Sequence, residues 1–131
     1  MISKQELRRI ATARLKDAEI LLAANRYDGA SYLSGYAVEI GLKLRICRTL
    51  KWQGFPETNS EFQGLQSLKV HDFEVLLRFS GVEGKIKSGY LTEWSAVKQW
   101  KPELRYAIAG SANAASARTM IVAAKKILQI L

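Results

Sequence analysis

The chain has 131 residues, 48% of them hydrophobic, with 20 Lys and Arg against 12 Asp and Glu for a formal net charge of +8. That length predicts a single domain, residues 1–131, able to bury roughly two-thirds of its unfolded surface without a staple, and the lone Cys47 and lone His71 exclude an internal disulfide and a zinc ribbon. No apolar run approaches the roughly 20 residues of a membrane span, and Met1 to Glu6 is too polar for a signal peptide, so the sequence reads as soluble and cytoplasmic, with no membrane partner.

Helical periodicity dominates the chain. Ser3 and Glu6 have capping-box spacing, and behind them Leu7, Ile10, Ala11, Leu15, Ala18, Leu21 and Leu22 form one apolar stripe, predicting a first helix over 3–24. Asn25 can take the left-handed conformation that stops it, and Asp28 can cap the next helix. From Gly29 to about Leu50 the pattern is apolar on several faces, as in a central helix, and Gly35 and Gly41 inside it imply close approach by another helix. The two helices predict an antiparallel hairpin.

Residues 51–70 are the least regular, with a short helix expected after Thr58 and Glu61, whose spacing again fits a capping box. A third main helix is predicted over 72–79 with Gly81 as its stop, and a fourth around Leu91, Trp94 and Val97, closed by Pro102. The last helix is expected over 112–131. No alternating strand pattern is evident. The fold class is therefore all-α, an up-and-down bundle of about five helices with a long central hairpin.

The charge is spread along the chain: positions 1–65 hold 10 basic and 7 acidic residues and positions 66–131 hold 10 and 5, which leaves no basic arm. Glycine-rich phosphate loops and paired helical histidines are missing. Cys47, on the apolar stripe of the second helix, reads as buried packing. His71 is the one side chain that titrates near neutrality unshifted, a candidate acid or base, but it stands before an apolar helix whose free amides it and Asp72 can bond, and the structural reading is the stronger. Glu39 and Lys43, one turn apart, can pair within a central helix, fixing packing or orienting a ligand. Trp94, Lys98, Trp100, Lys101, Arg105 and Tyr106 make an aromatic and basic stretch able to stack bases and hold phosphates, although core or dimer packing of the tryptophans is favoured over nucleic-acid contact. Lys125 and Lys126 read as a solvated helix end.

The segment from Arg14 to Lys43, with Asp17-Ala18, Leu21-Leu22, a short turn and then Ala37, Glu39, Leu42 and Lys43, resembles the first helical hairpin of HEPN domains. Val70-His71-Asp72-Phe73 through Leu77 resembles their His-Asp-Leu motif, and Leu104-Arg105-Tyr106 their Arg-Tyr before the last helix. The resemblance implies a helical homodimer, often partnered by a small nucleotidyltransferase, within a family that includes toxin–antitoxin and defence ribonucleases. Those ribonucleases place a His within about two helical turns of the Arg, and here no histidine follows Arg105. The implied function is a non-catalytic or nucleotide-binding subunit, with Tyr36, Glu39, Lys43, Lys101, Arg105 and Tyr106 as candidate ligand-binding residues and neither metal nor cofactor. The alternatives are a ribonuclease in which His71 and Arg105 meet in space, and a basic RNA-binding module.

Overall fold

Local signals set the first hairpin. In a computed structural model describing all of residues 1–131, a two-residue strand β1 (Ile2–Ser3) leads into α1 (Lys4–Ala23). Ser3 caps that helix by accepting from the Glu6 amide at 3.1 Å, but Glu6 does not reach back; its carboxylate lies 3.6 Å from Arg9. Asn25 takes the left-handed conformation expected of it, φ 61°. The chain reverses there into α2 (Tyr27–Thr49), which lies against α1, α6 and α3 as the central helix. Asp28 is not its cap. The helix begins one turn-position earlier, at Tyr27 behind Arg26, which leaves the Asp28 carboxylate free to reach across to the backbone amides of Gly110 and Ala112 at 2.6 and 2.8 Å.

Residues 51–70 depart from the expected helix. A second short strand, β2 (Gly54–Phe55), pairs antiparallel with β1, Ile2 opposite Phe55. Thr58 does accept from the Glu61 amide at 3.2 Å, but Gly64 at φ 79° ends the turn before it propagates, and only a 3₁₀ turn at Gln66–Leu68 follows. One capping bond does not offset the cost of nucleating a helix that Gly64 interrupts within a turn, and Phe62 and Leu68 reach the core from turns instead.

The remaining helices follow their caps. Asp72 accepts from the amides of Glu74 and Val75 and starts α3 (Phe73–Ser80), which Gly81 ends at φ 80°. A helix absent from the sequence reading, α4 (Glu83–Gly89), precedes α5 (Leu91–Val97) and buries Ile86; a 3₁₀ turn spans Pro102–Tyr106. Finally α6 (Ala114–Ile130) is opened by a reciprocal capping box between Asn113 and Ser116. Six helices stand where about five were expected, and the architecture is an all-α bundle with a tiny two-strand ribbon. No helix is long and apolar enough to cross a membrane.

The two interior glycines admit different neighbours. At Gly41 a Cβ would come 2.4 Å from the Leu128 side chain, so α6 is the close helix. At Gly35 it would come 2.1 Å from the Trp100 ring, so a single indole fills the space where a helix was expected. Trp100 stacks on Phe73 with ring centroids 5.4 Å apart, and its indole nitrogen donates to the Tyr32 carbonyl at 3.0 Å. Trp94 is buried beside Phe73 and donates to Glu74 at 2.9 Å. Both tryptophans are thus core anchors, as the favoured reading had it.

Candidate functional site

Helical spacing places Asp28, Tyr32, Tyr36, Glu39 and Lys43 in one row along α2. Glu39 lies at its centre and is only 2% exposed. Its Oε1 accepts from Lys43 Nζ at 2.9 Å and from His71 Nδ1 at 2.5 Å. A buried charge requires partners of this kind, because an uncompensated carboxylate in the interior costs several kcal/mol, on the order of 3–5. Lys43 is itself mostly buried, its ammonium 5.3 Å from the centre of the Phe55 ring. The one-turn pair foreseen in the sequence forms, and it is a three-way cluster because the chain before α3 delivers His71 to the same oxygen.

His71 therefore does not bond the free amides of α3; Asp72 alone does. A carboxylate can only accept, so Nδ1 carries the proton and the opposite ring nitrogen has no hydrogen bond within the chain. The side chain is 60% exposed. This is an oriented imidazole with its second ring nitrogen free of hydrogen bonds within the chain, and no Ser, Thr or Cys is hydrogen-bonded to it as a nucleophile. Tyr36, half-buried one turn before, has its phenol pKa raised by burial and by the Glu39 charge, so it is a neutral hydrogen-bond donor at physiological pH.

Two turns toward the start of α2 the row meets the 3₁₀ turn. The Arg105 guanidinium stands 5.0 Å over the Tyr106 ring, and the hydroxyls of Tyr106 and then Tyr32 hold its pKa above the usual arginine value. Arg105 and Tyr106 are exposed, and so are Leu104 and Ile108 on the same segment. Lys101, also exposed, makes no ion pair. His71 and Arg105 share no hydrogen bond within the chain: His71 bonds Glu39, and the Arg105 guanidinium lies over the Tyr106 ring.

The structure thus brings Glu39, Lys43 and His71 together, sets Tyr36 beside them, and groups Arg105 with Tyr106 at a distance. Tyr32 is not among the site residues that the sequence suggests, although its one-turn spacing from Tyr36 puts it on the same row. The Asp28 clamp had no local signal, since its partners lie more than eighty positions away. Cys47 is buried as expected, and burial pushes its thiol up to about 11, so it is no nucleophile at neutral pH. Comparison of the chain with protein-family models, with curated proteins and with solved structures finds no match in any of the three.

Proposed function

We propose that the chain is a HEPN-type helical subunit that binds a nucleotide rather than cleaving RNA, acts as a homodimer, and works with a small nucleotidyltransferase in a toxin–antitoxin or defence pair. The observation that carries this reading is the exposed Arg105–Tyr106 step. A guanidinium lies over one face of an aromatic ring that is 77% exposed, which leaves the other face for a base to stack on while Arg105 and Lys101 meet phosphates. The Asp28 carboxylate ties the loop that follows this step to α2 through Gly110 and Ala112, so the chain just beyond the platform is held on a rigid element. Leu104 and Ile108, bare on the same segment, offer apolar surface to a second subunit.

The non-catalytic part rests on the missing histidine after Arg105 and on the engagement of His71 with Glu39 away from Arg105. Calorimetric titration with ATP is expected to show saturable binding to the full chain and its loss in Tyr106→Ala, a substitution that changes stability by less than about 0.5 kcal/mol because the ring packs against nothing buried. Equal binding by both proteins overturns the nucleotide reading. The ribonuclease alternative keeps one feature in its favour, the oriented and exposed His71 imidazole. Metal-independent RNA cleavage that disappears in His71→Ala would establish it and refute the non-catalytic reading.

A further inference from the structure

The opposite face of α2, carrying Gly41, Leu44, Arg45 and Arg48, meets α1 and α6 around an open cavity of about 410 Å³. Its walls are of two kinds. Ala11, Leu15, Leu44 and Leu128 make an apolar floor, and Arg8, Arg48 and Lys125 stand around it with no acidic residue in the lining. A volume of this size falls within the range that small-molecule sites span.

The cations are incompletely answered. Lys125 has Glu19 at 3.6 Å, and Arg48 Nη1 donates to the Leu131 main-chain oxygen at 2.6 Å. Arg8 has neither hydrogen bond nor ion pair, and the buried Nε of Arg45, on the same side of α2, has no acceptor. Burial and then the charges of Arg8 and Arg45 press the Arg48 pKa below its usual value, so the three arginines feel one another. Arg8 and the Arg45 Nε are thus the unanswered cations on this side of α2, and an anion entering the cavity would answer Arg8.

We propose that this cavity binds a small amphiphilic anion, its carboxylate or phosphate head held between Arg8 and Arg48 and its short apolar chain laid on Leu15, Leu44 and Leu128. Arginine forks suit both heads. The concave apolar floor distinguishes such a ligand from a polynucleotide, which needs a basic groove that continues along successive phosphates. The site lies across α2 from Arg105 and Tyr106 and does not depend on the nucleotide proposal.

The test is calorimetric titration of the full chain with octyl phosphate, octanoate and inorganic phosphate, all below micelle-forming concentration. One saturable site is expected for at least one amphiphile, about tenfold or more tighter than for inorganic phosphate, and the preferred head identifies the ligand class. Arg8→Gln, an exposed substitution, is expected to weaken it by about tenfold. Thr12→Trp, which fills the cavity from its exposed rim, is expected to abolish it, and Arg9→Gln, paired outside with Glu6, to leave it unchanged. Absence of saturable binding by either amphiphile overturns the proposal. So does binding that Arg8→Gln and Thr12→Trp leave intact, or inorganic phosphate binding as tightly as octyl phosphate.

Discussion

The two faces of α2 are covered in different ways. The row Tyr32, Tyr36, Glu39 and Lys43 is answered by turns, loops and one short strand: the Trp100 indole, the 3₁₀ turn with Arg105, the His71 imidazole and the Phe55 ring of β2. The face with Gly41 and Leu44 is answered by the regular helices α1 and α6. Regular helices meet through flexible aliphatic side chains that adjust, whereas the loop-built face depends on particular polar atoms and one rigid ring. The first face should therefore be brittle to substitution and the second tolerant.

The largest effect is expected at Glu39. Glu39→Ala leaves the mostly buried Lys43 ammonium without its anion and should cost about 3–5 kcal/mol, read as a lower urea midpoint. The double change Glu39→Met with Lys43→Met removes both charges and should recover most of that loss. If the single substitution is as mild as the double, the cluster does not hold the fold.

Next comes a paired test at the two glycines. Gly35→Ala drives a methyl into the Trp100 ring, which Phe73 and Tyr32 hold in place, and should cost about 1–3 kcal/mol despite the better helix propensity of alanine. Gly41→Ala meets the ends of the Leu128 and Leu131 side chains, which can change rotamer, and the propensity gain of up to about 1 kcal/mol should leave it near neutral. Equal losses in thermal melts of the two variants would erase the contrast between the faces.

The smallest global effect, confined to one loop, belongs to Asp28. The amides of Gly110 and Ala112 hold its carboxyl below the usual range, so its contribution is present above the unfolded pKa and is lost as pH falls below about 4, through the folded value. Hydrogen exchange should show the Gly110 and Ala112 amides losing protection on that acidification, and at all pH values in Asp28→Ala. Protection that persists in Asp28→Ala would remove the clamp from the first face.

What could be read in advance was local. Ser3, Asn25, Asp72 and Gly81 mark helix ends that the structure keeps within a residue or two, because caps and left-handed stops act over a single turn. Glu39 with Lys43, and the inward Trp94, were also legible, since one-turn spacing and apolar periodicity place them on a helix face, whereas the inward Trp100 lies beyond the end of α5 and was legible only by its aromatic bulk. Thr58 and Glu61 show the limit: the capping bond formed, but Gly64 turns left-handed before a helix can propagate, and Phe62 and Leu68 are buried from turns instead. The short α4 went unread because one buried side chain, Ile86, carries it.

By itself, then, the sequence determined an all-α chain with its central helix, its helix ends and its core tryptophans, because these depend on neighbours within a few positions. Only the tertiary structure decided that His71 bonds Glu39 across 32 positions, that Asp28 clamps a loop more than eighty positions on, and that Arg8 and Arg48 share one cavity. Such meetings depend on how α1, α2 and α6 pack, and helical periodicity specifies which face is buried without naming what arrives against it.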